Sequence, residues 1–174
     1  MVAFKTLPLT SQPRPKTHKR HQQKVAAVQP PRQAAAPQTM TRESDRLPQG
    51  IARSTLRLNG IRWRSTGHCS NRYRPVCTSL DHIRRGSVDG LIAFKRRSGC
   101  RITVSGGTER GHAHGRFSHW NGYKIDVVPN RCVDRYITNR LRPVGIRGDG
   151  AEMFRAPSGA IYADEKSHWD LLFR

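Results

Sequence analysis

The stretch H-A-H-G-R-F-S-H-W-N-G-Y-K-I-D, running from His112 to Asp126, sets three histidines and a carboxylate within fifteen residues around a glycine- and aromatic-rich turn. Its end, Tyr123 to Val128, reads as a strand in which Ile125 and Val127 fall on one face and Lys124 and Asp126 on the other. The C-terminal run His168 to Phe173 repeats that pattern, with Trp169, Leu171 and Phe173 on one face and His168 and Asp170 opposite. Two neighbouring strands so patterned share an apolar face that needs a core. They also share a polar face carrying Asp126 and His168, which His119 can reach from the preceding loop.

Outward from this pair the elements alternate. Thr78 to Asp81 offers oxygens to open a helix, Leu80, Ile83, Ser87, Val88, Leu91 and Ile92 recur at helical spacing through Lys95, and Gly99 is placed to stop it. Arg101 to Ser105 reads as a short strand, followed by a loop with Glu109, Arg110, His112 and His114. Asn130 or Asp134 opens a second helix carrying Val133, Tyr136, Ile137 and Leu141. Glu152–Arg155 and Ala160–Ala163 flank Pro157-Ser-Gly159 as a hairpin, and the His168–Phe173 strand closes the chain. The expected fold class is α+β, with a mostly antiparallel sheet packed against helices.

Residues 1–48 read as a disordered, basic, Pro-rich tail, and residues 49–174 as the folded domain. The tail holds seven prolines, nine basic and two acidic residues, hence +7, and no amphipathic period. Its basic patch, Lys16 to His21 with Lys24, suits nucleic acid, an anionic wall or virion component, an organelle transit role, or plain solvation. The whole chain carries +20, a field that favours polyanionic partners without choosing among them. No apolar run is long enough to span a membrane. Val2 to Leu9 is too short and broken for a secretory core, so secretion by the ordinary route is not expected.

Cys69, Cys77, Cys100 and Cys132 lack the spacing of a zinc ribbon. Two disulfides, Cys69–Cys77 and Cys100–Cys132, are the simplest of three pairings, with four reduced thiols as the alternative.

Imidazole nitrogen and carboxylate oxygen suit zinc, and a catalytic ion takes three protein ligands and leaves one position for water. His119, Asp126 and His168 are the candidate metal ligands. Glu165, three residues before His168, is placed to act as general base on zinc-activated water and return the proton to a leaving amine, or else to pair with a nearby base. Arg110 is the candidate to hold a substrate carboxylate by a forked hydrogen bond. His112 and His114 either contact substrate beside it or are ordinary loop histidines. Asp170 shares the ligand face and either orients a ligand histidine or pairs with a base.

These residues resemble the zinc D-Ala-D-Ala peptidases of cell-wall metabolism, which share a fold with the Hedgehog signalling domain. His119, Gly122 and Asp126 stand at the family's intervals, and Glu165 with His168 matches its second signature. Ser105 to Arg110 is similar to its Ser-Gly-aromatic-Arg segment, with two residues extra. Lys124 replaces a small residue, and Ser167 stands where Trp is usual, with Trp169 after the histidine. The resemblance covers residues 78–174. It implies a Hedgehog/DD-peptidase fold, a Zn2+ cofactor, peptidoglycan stem peptides as substrate, and a carboxypeptidase or endolysin-like endopeptidase acting outside the cytoplasm or in a virion. The rival expectation is a non-catalytic zinc-containing module of the same fold, or a basic virion protein that binds nucleic acid through its tail.

Overall fold

The computed structural model describes Arg42 and residues 45–174, so nearly all of the expected tail, including its basic patch, lies outside the described residues. In chain order the elements are β1 (Arg46–Leu47), α1 (Gln49–Leu58), β2 (Arg62–Trp63), β3 (Ile83–Arg84), α2 (Arg85–Ser98), β4 (Thr103–Gly106), β5 (Lys124–Val127), α3 (Arg131–Arg140), β6 (Arg142–Ile146), β7 (Glu152–Arg155), β8 (Ile161–Asp164) and β9 (Trp169–Leu172). This is an α+β fold. Seven strands form one sheet in the order β2-β4-β5-β9-β8-β7-β6, and β1 pairs with β3 in a small ribbon. β2 runs parallel to β4, and every other pair in the sheet is antiparallel.

The period-two pattern decides which sheet face is packed. Ile125, Val127, Trp169 and Leu171 join one core with Leu56 of α1, Val88, Leu91 and Phe94 of α2, and Val133 and Ile137 of α3. Each such fully buried side chain is worth about 1.5–3 kcal/mol. Helix α2 carries Gly90 in its middle, a residue that weakens a helix by propensity. Packing explains it: a Cβ there would stand 2.4 Å from Cδ1 of Phe173, so the glycine makes room for the aromatic ring.

The expected start of α2 needs correction. The helix begins at Arg85, because the amides of residues 79–81 are used elsewhere. Ser79 N–H donates to Glu109, Leu80 N–H to Gln49 Oε1, and Asp81 N–H to the Ser79 hydroxyl. His82 then takes a left-handed φ of 59°, which a right-handed helix cannot include. Gly99, also left-handed, ends the helix as expected and donates to Lys95 O at 2.9 Å. Asn130 caps α3, its Oδ1 accepting from Cys132 and Val133 N–H at 3.1 and 3.2 Å.

Five short elements were not expected: β1, α1, β2, β3 and β6. Leu47 of β1, at the end of the expected tail, is 4% exposed and belongs to the core. Both expected disulfides, Cys69–Cys77 and Cys100–Cys132, are present. They point to an oxidising environment. Among the described residues no helix is long and apolar enough to cross a membrane.

Candidate metal centre

β5 and β9 lie side by side with Asp126 directly opposite Asp170, so the face away from the helices presents two carboxylates at one level. The segment from Gly107 to Gly122 folds over this face. It brings His119 Nε2 to 3.2 Å from Asp126 Oδ1 and 3.6 Å from Asp170 Oδ1. The other ring nitrogen of His119, Nδ1, is 2.7 Å from the carbonyl of Gly107. A proton on Nδ1 satisfies that carbonyl and leaves the Nε2 lone pair facing the carboxylates, the usual way a protein orients a metal-binding histidine. His168, at the head of β9, places Nε2 3.6 Å from the same Asp126 Oδ1, and Glu165 Oε2 lies 3.2 Å from that nitrogen.

His119 and His168 each approach Asp126 Oδ1, with Glu165 beside His168, while the residues whose ligand atoms all lie within 4.8 Å of one another are His112, His119 and Asp126. Two ligands each about 2.1 Å from a tetrahedral ion stand about 3.4 Å apart, and the two separations from Asp126 Oδ1, 3.2 and 3.6 Å, bracket that value. Asp126 Oδ1 and Asp170 Oδ1 are buried and face only imidazole nitrogens, so they lack a hydrogen bond whenever those rings carry no proton there. A buried oxygen left unpaired is costly, and a cation between Asp126 and the imidazoles would remove that cost. Of the twelve acidic residues in a chain with 32 basic ones, Glu109, Asp126, Glu165 and Asp170 gather here. The residues present fit a divalent ion.

His112 changes place relative to expectation. Its ring stacks on that of His119 at 3.8 Å, with Nδ1 3.8 Å from Asp126 Oδ2. His112, His119 and Asp126 form a group whose ligand atoms all lie within 4.8 Å, a set that could hold a metal. His114, by contrast, is exposed. Arg110 is exposed too, its guanidinium 5.3 Å from the Tyr73 ring and 6.0 Å from the Trp120 ring.

Glu109 and Arg147 carry roles that sequence patterns did not assign. Glu109, 4% exposed, accepts from Ser79 N–H at 2.6 Å and Gly107 N–H at 3.0 Å, and contacts His112 Nε2 at 3.2 Å. Arg147 donates from Nη1 to Asp170 Oδ2 at 2.9 Å and from Nη2 to Glu165 Oε1. Nothing in the order of residues 142–150 marks that arginine; its partners lie 18 and 23 residues further on.

These contacts set the charge states. Burial would lower the His119 pKa, but Asp126 and then Asp170 outweigh it and raise it to about 10. Burial would raise the Asp170 carboxyl, yet His119 and Lys124 hold it well below the ordinary carboxylate range. Hydrogen bonds to Asp149, then to Glu165 and Asp170, hold the Arg147 guanidinium above its usual value against the effect of burial. Access is one-sided: His112 and His168 side chains are each 25% exposed, while those of His119, Asp126 and Asp170 are nearly covered. A separate cavity of about 750 Å3 opens beside α2, lined by Gly86, Asp89, Ala93, Tyr123 and Phe173, and shares no residue with the histidine group.

Fold and site together define an α+β domain with a histidine–carboxylate centre that is buried at His119, Asp126 and Asp170 and part-exposed at His112 and His168. No protein-family model, curated protein or solved structure matches the chain.

Proposed function

We propose that the domain is a zinc-dependent peptidase that hydrolyses an amide bond in peptidoglycan stem peptides, with the Hedgehog/DD-peptidase fold. One observation carries the reading: Asp126 Oδ1 lies 3.2 Å from His119 Nε2 and 3.6 Å from His168 Nε2, with Glu165 Oε2 3.2 Å from the latter. These are the residues whose intervals resemble the family's two signatures. His119, Asp126 and His168 would hold the ion, which when bound supplies a Lewis acid that polarises the scissile carbonyl and makes water nucleophilic at neutral pH.

Glu165 takes the proton of the attacking water at Oε2 and returns it to the leaving amine. Arg147 fixes the opposite carboxylate oxygen, so Oε2 keeps one orientation. His119 is held by Gly107 O, which spares it reorganisation. A chain of net charge +20 would concentrate on anionic walls, and its two disulfides suit a place of action outside the cytoplasm or in a virion.

The second reading, a metal-holding module without turnover, draws on the Arg147–Glu165 pair, since a carboxylate held by a guanidinium can serve the fold rather than a water molecule. Purified protein, analysed for metal and incubated with cell-wall sacculi, separates the two. The parent should contain one zinc per chain and release new amino termini, while Glu165→Gln should keep the zinc and release none. Zinc without hydrolysis in the parent favours the module.

A further inference from the structure

His112 stands within 4.8 Å of the ligand atoms of His119 and Asp126. Its Nε2 is 3.2 Å from Glu109 Oε1, and Glu109 is itself fixed by the amides of Ser79 and Gly107. A proton on Nε2 shared with that carboxylate leaves the Nδ1 lone pair directed at Asp126, whose Oδ2 is 3.8 Å away. This is the carboxylate–histidine arrangement that orients metal ligands, built on a residue the family's intervals do not include. The His112 ring stacks on that of His119 at 3.8 Å with 18° between planes, so one ring has to turn for both nitrogens to meet a single ion. Its side chain remains 25% exposed, as does that of His168.

We propose that His112 is a fourth, exchangeable protein ligand that closes the centre in the resting protein. With His112, His119, Asp126 and His168 all engaged, a tetrahedral ion has no position left for water, the condition of a structural rather than a catalytic site. Hydrolysis then requires His112 to leave. Its partial exposure, shared with His168 but not with the nearly buried His119 and Asp126, and its place outside the family's intervals make it the displaceable member. The inference rests on the metal reading of the site.

The test uses the full chain loaded with zinc for X-ray absorption and with cobalt for visible spectroscopy, as parent and as His112→Ala. The parent should show three imidazoles around zinc and a strong cobalt band that does not move with pH. His112→Ala should keep one zinc per chain but show two imidazoles and an added oxygen. Its cobalt band should be weaker and titrate, and sacculus hydrolysis should rise at least about tenfold, since a tenfold gain needs only ~1.4 kcal/mol off the barrier. Two imidazoles already in the parent, identical spectra in both proteins, or loss of zinc from the variant would overturn the role of His112 while leaving the site. A parent that takes up neither cation overturns the site reading as well.

Discussion

Asp126 and Asp170 face each other across the β5–β9 ladder, two buried carboxylates in register on one face of the sheet. Like charges so placed repel, and the fold answers with cations on one side only. Lys124 Nζ and Arg147 Nη1 lie 2.5 and 2.9 Å from Asp170 Oδ2, and none of these bonds goes to Asp126. Asp170 is thereby neutralised by the chain, and Asp126 is left for an ion and the histidines. Asp170→Asn strands two cations against an amide while removing one like charge. With both cations more than a fifth exposed, the net cost should be near 2 kcal/mol by urea unfolding. Zinc affinity, read by competition with a chelator, should fall about 10–100-fold, the range for a residue that supports a ligand without being one. An unchanged affinity would separate Asp170 from the centre.

On the proposed metal reading, the proton on His119 and the ion compete for the same nitrogen. Its folded pKa, about 10, lies above the ordinary 6.5, so in metal-free protein the stabilisation is fully present below pH 6.5 and is lost as pH climbs through 10. Metal uptake needs the neutral ring. Zinc affinity should therefore rise with pH by about tenfold per unit for each proton displaced, and the melting-temperature gain on loading should grow from pH 6 to 8. Calorimetry in buffers of different ionisation heat should count about one proton released per zinc at neutral pH. No released proton would mean the ion binds elsewhere.

The polar face was legible because period two is local. Knowing that Ile125 and Leu171 must be buried is enough to place Asp126 and Asp170 opposite the core, and β5 and β9 differ from expectation by one residue at each end. Helix α1 was hidden because it buries only Ala52 and Leu56, a stripe too thin to separate from loop. Strand β6, with arginine, proline and glycine among its five residues, is an exposed edge that no apolar alternation marks. Helix α2 begins at Arg85, but the local pattern starts it too early because Thr78 and Ser79 look like caps. Their groups instead answer Ser105 and Glu109, partners 27 and 30 residues away that no local pattern reveals. The same limit hid Arg147 and left His112 as one loop histidine among several.

The two disulfides should differ in what their loss costs. Cys100–Cys132 spans 32 residues and ties the approach to β4 to the first turn of α3. Chain-entropy arguments give it about 3.5 kcal/mol, and replacing both cysteines by serine should lower the melting temperature by roughly 10 °C with zinc affinity intact. Cys69–Cys77 closes a shorter loop, worth about 2.5 kcal/mol. That loop carries Arg72, which donates to the carbonyls of Thr108 and Trp120 on either side of the histidines and stacks 3.7 Å from the Trp120 ring. Its double serine variant should lose both stability and zinc affinity. Equal effects of the two replacements on zinc would argue against Arg72 bracing the site.

Gly106 and Gly107 are adjacent, yet each makes room for something different. A Cβ on Gly106 would lie 2.3 Å from Asp126 Oδ2, whereas one on Gly107 would lie 2.0 Å from the backbone carbonyl of Ser79. A side chain can rotate away and a backbone cannot, so the two alanine variants should fail differently. Gly107→Ala must push apart segments joined by the Thr108 N–H to Ser79 O bond of 2.7 Å, an overpacking cost of about 1–3 kcal/mol visible in urea midpoints. It also moves the carbonyl that orients His119. Gly106→Ala can be accommodated by turning the Asp126 carboxylate. Its unfolding midpoint should shift less, but zinc affinity should drop at least about tenfold as the carboxylate leaves the imidazoles. If Gly106→Ala binds zinc as tightly as the parent, Asp126 is not a ligand, and the centre would have to be rebuilt around the histidines alone.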